Sequence, residues 1–339
     1  MKLLVFTQKV DRNDTVLGFF HGWLIKISQK CEKVYVICLQ KGEYDLPENV
    51  ELFSLGKESG VSVLKYLKNL FIYLRQLENS YDKVFVHMNQ EYILLAGLYW
   101  KLKGVPVYLW RNHPNGSILT SISVMFSNKV FCTSTSSYTA KFKKTVIMPV
   151  GIDTETFSPV EGEVRKKYSI CMIGRIAPVK NNMLALEAMN VLVEKMPHVS
   201  LAIIGSYLDR DKDYYQSVKK YVEDNNLSSN ITFLPGVPHY KLPSIYSSFE
   251  ICLNLAETGS FDKTIVESSS CGAIPVVSNY SLRGMLPDNC IAEPNPKSIS
   301  DSIQKMLLPH ERIAVQKDLE VFVESHSLTN LVSRLFKEI

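Results

Sequence analysis

Short apolar runs rich in valine, phenylalanine and tyrosine alternate with helical stretches from one end of the chain to the other. In the first half these runs are LLVF (3–6), KVYVICL (33–39), VELFSL (50–55), KVFVHM (83–88), VPVYLW (105–110) and KVFCTS (129–134). They are continuous rather than alternating, as strands covered on both faces are. Between them lie helical stretches such as GFFHGWLIKISQK and QEYILLAGLYWKLKG. Repeated strand–helix–strand units imply right-handed parallel crossovers and a doubly wound parallel sheet. The second half repeats the plan with YSICMIG (168–174), VSLAIIG (199–205), ITFLP (231–235), EICLNL (250–255) and AIPVVS (273–278). Its helices are predicted to begin near Asn181, Asp213, Tyr240 and Thr264, and the chain reads as helical after about residue 296.

A chain of 339 residues accommodates two such sheets. The phrase IMPVGIDTETFSPVEGE separates them, because Pro149, Gly151, Pro159 and Gly162 interrupt its hydrophobic period. The expected organisation is an N-terminal Rossmann-like domain over 1–155, a second over 156–320, and a C-terminal helix over 321–339 that packs back on the first. Open parallel sheets take ligands outside the C-terminal ends of their strands. Two of them facing a cleft place the chemistry on the loops that follow strands.

Hydrophobic residues make up 46% and charged residues 21%, which excludes general disorder. The net charge of +4 is too small to announce a nucleic-acid binder. Residues 1–160 carry 19 basic and 13 acidic side chains, and residues 161–339 carry 19 and 21. The first half therefore has the better claim on an anionic surface or acceptor. The seven cysteines are scattered, odd in number and without a CxxC pair, which suits buried reduced thiols better than a disulfide framework or a zinc site. The N-terminus turns polar too soon for a signal peptide, and no apolar run approaches a membrane span of roughly 20 residues. The expected location is cytoplasmic, with peripheral contact at the inner face of the cell membrane.

Two loops carry the most chemistry. The first, Gly174-Arg175-Ile176-Ala177-Pro178-Val179-Lys180, joins YSICMIG to a helix. Two cations beside free helix N–H groups suit a diphosphate, and spacing alone equally suits two solvated turn residues. The second follows EICLNL and runs from Ala256 through Phe261, Asp262 and Lys263 into a helix carrying Thr264, Ile265 and Glu267. Thr264 and Glu267, three apart, share a helix face. The hydroxyl and the backbone N–H groups suit phosphate or sugar oxygens, and Glu267 suits a ribose diol or is an exposed helix carboxylate.

The GRxxxxK turn with Arg175 and Lys180, the helix ending in VESSSCGAIPVV and the PVGIDTETFSP linker together resemble the retaining glycosyltransferase family 4, of GT-B fold. TQKVDRNDTVLGFFHGW resembles the first loop and helix of that family's acceptor domain, and HMNQEYILLAG and YLWRNHPNG its strand ends. The resemblance implies that Arg175 and Lys180 neutralise the donor diphosphate, that Glu267 holds the ribose, and that residues Phe261 to Ile265 supply backbone contacts. It implies a histidine near the transferred sugar at His113, which read alone is a polar loop residue beside Arg111 and Asn112. Gly18, after a polar loop containing Asp11 and Arg12, either passes close to the donor phosphates or simply starts a helix. The family commonly has a Glu where this chain has Gly259, so Glu257, Asp262 or Lys263 is the candidate replacement. His21 and His87 read as packed helix-face and core residues.

The resemblance implies a nucleotide-sugar donor, UDP- or GDP-linked, as substrate rather than cofactor, and a glycan or lipid-linked acceptor of the cell envelope. No metal is expected, since the Asp209–Asp213 run interleaves its carboxylates with cations and leads into a helix. Alternatives are a nucleotide-sugar epimerase of the same fold and a non-catalytic two-lobed sugar-binding protein. Residues 61–77, with Lys65, Lys68 and Arg75 among leucines, and the cluster Lys141, Lys143 and Lys144 read as either an ordinary basic surface or a contact with anionic lipid.

Overall fold

The computed structural model describes residues 1–256 and 261–339. The chain forms two compact units, one of residues 1–151 with 328–339 and the other of residues 152–327. The first is built from β1 (Lys2–Val10), α1 (Phe19–Ser28), β2 (Lys33–Lys41), β3 (Val50–Ser54), α2 (Val63–Gln76), β4 (Lys83–His87), α3 (Glu91–Leu102), β5 (Val107–Trp110), α4 (Ile118–Phe126), β6 (Lys129–Cys132) and β7 (Thr145–Ile147). Its strands pair in parallel in the order β3-β2-β1-β4-β5-β6-β7. The second unit contains β8 (Ser169–Ile173), α5 (Asn182–Lys195), β9 (Ser200–Ile204), α6 (Lys212–Asp224), β10 (Ile231–Leu234), α7 (Leu242–Ser248), β11 (Ile251–Asn254), α8 (Lys263–Ser270), β12 (Ile274–Val277), α9 (Pro296–Met306) and α10 (Pro309–Ser325). Its five strands are also all parallel, in the order β10-β9-β8-β11-β12. Both sheets are Rossmann-like, as the strand–helix alternation predicts.

The eleven apolar runs each become a strand, because a parallel strand is covered on both faces and its whole length must be apolar. β7 is an addition to that set. It is three residues long and stands directly before the Pro149 and Gly151 punctuation, too short to carry a periodic signal.

The helices of the first unit lie on opposite faces of its sheet. On one face Phe20, Trp23, Leu24 and Ile27 of α1 pack with Leu3, Val34 and Phe85. On the other, Leu70 and Leu74 of α2, Ile93 and Trp100 of α3 and Val124 of α4 pack with Leu4, Phe6 and Val84. Where the sequence reads as one helix over 321–339, the chain instead breaks at His326 and Ser327, whose backbone pairs with Ile152. α11 (Leu328–Glu338) then joins the first unit, with Leu328, Leu331, Val332 and Leu335 buried beside α1. Gly151 adopts φ +77°, and a Cβ there would overlap Leu331, so both the backbone and the packing require glycine. Its carbonyl accepts a 2.9 Å hydrogen bond from the Trp23 indole.

All seven cysteines are free and six are buried. Burial pushes the Cys38, Cys271 and Cys290 thiols up to about 12, so they stay protonated and unreactive at neutral pH. No helix among the described residues is long and apolar enough to cross a membrane.

Leu335 is fully buried in the first unit although it lies 184 positions beyond Gly151 (335 − 151). Leu335→Ala should cost about 2–5 kcal/mol, read as a lowered denaturant midpoint. Its loss should fall on the first unit's transition.

Candidate active site

The turn after β8 is tied to its neighbours by the backbone. Gly174 N–H donates to Ile204 O and Ile176 N–H to Ser206 O, each at 3.0 Å. Gly205, at the end of β9, has no room for a Cβ, which would overlap the Gly174 carbonyl. Pro178–Lys180 makes one tight helical turn, and Asn181, in the left-handed region at φ 54°, starts α5. The Asn181 side-chain amide donates to Leu255 O at 2.9 Å, which anchors the turn beside the end of β11. That anchoring sends Lys180 toward α8, where its ammonium pairs with the Asp262 carboxylate. Arg175 is exposed and has no side-chain partner among the described residues.

Asp262 is the N-cap of α8 and accepts from Thr264 N–H at 3.5 Å. Asn254, the last residue of β11, donates to Asp262 Oδ2 at 3.0 Å and to Thr264 Oγ1 at 2.8 Å. Burial alone would raise the Asp262 pKa, but the charge and hydrogen bond of Lys180, the Asn254 amide and the Thr264 N–H hold it below its ordinary 3.8. Burial pushes the neighbouring Lys263 ammonium well below its ordinary 10.5, against the pull of Glu267 and Asp262. Ile265 is buried, and the Phe261 ring lies against Phe322 and His326 at 6.0 and 4.7 Å between centroids. Only the Phe261 backbone is therefore left to meet a ligand.

Glu267 is 3% exposed, which removes the reading of it as a solvated helix carboxylate. His239 Nε2 lies 3.0 Å from one carboxylate oxygen and Tyr246 Oη donates to the other at 3.2 Å. The His239 ring in turn packs on Phe157 at 4.9 Å. A buried carboxylate needs such partners, and with them its remaining lone pairs keep a fixed direction.

Arg175, Lys180, Asp262, Thr264 and Glu267 thus gather at one end of the five-stranded sheet, on the turns and first helical residues that follow β8 and β11. The site also includes His239, Tyr246, Asn254 and Asn181, which the sequence alone does not mark as functional. His239 follows β10 in a Gly- and Pro-rich loop, so the rule that ligands meet strand ends was a usable signal. Tyr246 and Asn254 carried none, since each reads as an ordinary element residue. Lys180 is not a solvated turn residue, because it is paired with Asp262. Glu257, Thr258, Gly259 and Ser260 lie outside the described residues, and with them the position of the family's Glu and the Glu257 replacement.

In the first unit, His113 is exposed on the loop after β5, where its Nδ1 accepts from Asn115 N–H at 3.0 Å. Arg111 lies half-buried beneath it and donates to Asn115 O. Gly18 caps α1 in ordinary right-handed geometry (φ −54°), so its backbone angle does not itself demand glycine. Asp11 pairs with Lys9 at 3.0 Å and Arg12 with Glu43, so both loop charges are satisfied within the unit. His21 accepts from Asp45 N–H at 3.0 Å, and burial lowers its pKa. His87 is a core residue, stacked on Phe20 at 4.1 Å and 3.2 Å from the Thr7 hydroxyl.

Over 99% of its length the chain superposes on the Anabaena protein HepE, crystallised with UDP and glucose, with a TM-score of 0.79 at 14% identity and 98% of that chain covered. The fold is GT-B. Residues 153–314 match the family described as glycosyl transferases group 1, a range that lies within the second unit. Among curated relatives, a phosphatidylinositol N-acetylglucosaminyltransferase component of Arabidopsis thaliana is 26% identical over 170 residues, 48% of this chain and 36% of that protein. The GDP-mannose-dependent alpha-(1-6)-phosphatidylinositol monomannoside mannosyltransferase of Mycolicibacterium smegmatis is 23% identical over 150 residues, 40% of this chain and 38% of that protein. The matches thus span little more than a third of these relatives' length.

Because folding holds the Asp262 carboxyl below 3.8, its ionisation stabilises the fold above that pH and the contribution fades as pH falls through the lower folded value. Asp262→Asn keeps a cap but loses the charge, and should lower stability at neutral pH by about 1 kcal/mol. Denaturant midpoints of the two proteins should converge in acid, below about pH 4.

Proposed function

We propose that the chain transfers a sugar, with retention of anomeric configuration, from a nucleotide-diphosphate donor to a hydroxyl of a glycan or lipid-linked acceptor, without a metal ion. The reading rests on one observation above the others: within the region that matches glycosyl transferases group 1, Lys180, the N-terminus of α8 and the buried Glu267 converge at the ends of β8 and β11. Their chemistry divides a nucleotide diphosphate among them. Lys180, Arg175 and the α8 N–H groups suit the phosphates, and Glu267 suits the ribose hydroxyls. The Phe261 to Ile265 backbone completes the donor contacts. His113 is assigned to the transferred sugar on family resemblance, and Gly18 to the passage of its loop close to the donor phosphates.

In the proposed reaction the acceptor oxygen attacks the anomeric carbon on the face the diphosphate leaves. The bond from that carbon to the β-phosphate oxygen breaks, and the departing phosphate oxygen takes the acceptor's proton. Negative charge grows on the β-phosphate, where the cations and helix N-terminus stabilise it. Asp262 has two duties in this scheme. It positions Lys180, and it repels a bare nucleoside diphosphate, so the sugar hydroxyls it accepts from distinguish intact donor from product. HepE was crystallised with UDP, and the Mycolicibacterium relative uses GDP-mannose, which makes UDP- and GDP-sugars the donors to try first. Acceptors of the envelope-glycan type are the corresponding proposal, with a cytoplasmic location at the inner membrane face.

A thermal-shift screen of UDP-, GDP- and ADP-sugars should single out one nucleotide, since ligands that bind only the folded state raise its apparent stability. With that donor, Lys180→Ala should cut transfer by about 10²–10³-fold, at a cost of about 1 kcal/mol of stability at neutral pH because the Asp262 carboxylate loses its cation. Parental transfer rates in that variant would remove Lys180 from the mechanism. Asp262→Asn should bind the free nucleoside diphosphate more tightly while losing preference for the intact donor, measured by calorimetry. Equal weakening of both ligands would reduce Asp262 to a helix cap.

A further inference from the structure

The helices on the two faces of the seven-stranded sheet differ in what they show outward. Helices on a sheet ordinarily bury one apolar stripe and present polar residues to water. α4 does not. Its exposed residues are Ile118, Leu119 and Met125, at 79%, 53% and 60% exposure. Leu95, Leu98 and Leu102 form a stripe at i, i+3 and i+7 on the outer side of α3, with Leu102 80% exposed. α3 and α4 lie close together because Gly97 has no side chain, as a Cβ there would meet Phe126 at 3.0 Å. The two helices that carry these exposed leucine, isoleucine and methionine side chains are therefore neighbours. α2, on the same sheet face, adds Leu64 and Phe71 at 78% and 52% exposure.

Charge accompanies this apolar face. Lys65, Lys68 and Arg75 of α2 and Lys101 of α3 are exposed, and none of the four is in an ion pair among the described residues. Glu91 is the one exposed acid on the three helices. Long cationic side chains can lay their stems on apolar surface and extend their charge to a phosphate layer. Of the other basic cluster, Lys144 is not available, because it donates to Val124 O and Ser127 O at 3.0 and 2.7 Å.

We infer that the outer face of α2, α3 and α4 docks on an anionic lipid bilayer. Aliphatic tips with unpaired cations and almost no acid complement acyl chains beneath anionic headgroups. A protein partner would require matched acids and hydrogen-bonding groups, and α4 offers no charge at all. The loop from His113 leads directly into Ile118, so docking holds that loop near the bilayer surface. A lipid-linked acceptor there rests on the proposed function, whereas the docking itself does not.

The test is flotation of the full chain with vesicles, without donor or acceptor. Binding to equimolar phosphatidylcholine and phosphatidylglycerol should exceed binding to phosphatidylcholine alone by about tenfold or more and fall with salt. Leu98→Ser with Leu102→Ser, and separately Lys65→Glu with Lys68→Glu, should each weaken it about tenfold. These side chains are exposed, so circular dichroism and unfolding midpoints should match the parent. Parental binding that ignores vesicle charge, no binding at all, or variants that bind as the parent does would each overturn the inference. So would a dimer in sedimentation equilibrium that the leucine variant abolishes, since the face would then belong to a second copy. Vesicle binding is read without sugar transfer, so failure of either proposal leaves the other standing.

Discussion

Parallel strands cannot be joined by a tight turn. Each must be followed by a crossover that returns the chain to the same starting edge. The consequence runs through both units: every strand finishes at one edge of its sheet, and every crossover helix begins there. That edge collects loose backbone N–H groups, short turns and the first residues of helices. In the second unit it brings Lys180, from the crossover after β8, together with Asn254, at the end of β11, and with Asp262 and Glu267, from the crossover after β11. The ion pair of Lys180 with Asp262 is the contact on which the site then depends. It joins the turn after β8 to the cap of α8, and the Asn181 and Asn254 side chains brace the same junction.

That junction has an electrostatic character of its own. A lysine facing a helix N-terminus is a plain anion trap, whereas a lysine already held by a capping carboxylate is a selective one. In the proposed reaction an incoming diphosphate would share Lys180 with Asp262, and the ligand would have to offer Asp262 something in return. Hydroxyl groups do so. The buried Glu267 is organised on similar lines, with His239 and Tyr246 fixing its oxygens from the preceding crossover. In each case a carboxylate is oriented by side chains from a neighbouring crossover.

The positions of the strands were readable because their burial on both faces demands unbroken apolar runs; β2 to β6 and β8 to β12 follow those runs closely, while β1 continues past its run to Val10. β7 escaped because three residues hold no period. The break between α10 and α11 escaped because helical periodicity continues across it, and it is a backbone pairing of Ile152 with Ser327, far apart in sequence, that ends α10 there. In the site, Arg175, Lys180, Asp262 and Glu267 could be singled out from charged residues placed after apolar runs. Their mutual contacts could not, since a side chain's direction depends on how neighbouring crossovers pack.

By itself, then, the sequence determined the two parallel sheets, the glycine- and proline-marked boundary and the loops on which chemistry would stand, because hydrophobic period and turn residues act locally. Tertiary structure alone decided that α11 belongs to the first unit, that Lys180 is neutralised by Asp262, that Glu267 is buried against His239 and Tyr246, and that α3 and α4 expose their leucine and methionine side chains. Each of these is a contact between residues distant along the chain, or the lack of one. Such contacts are set by which surfaces remain uncovered when the crossovers pack, a quantity no local window of residues contains.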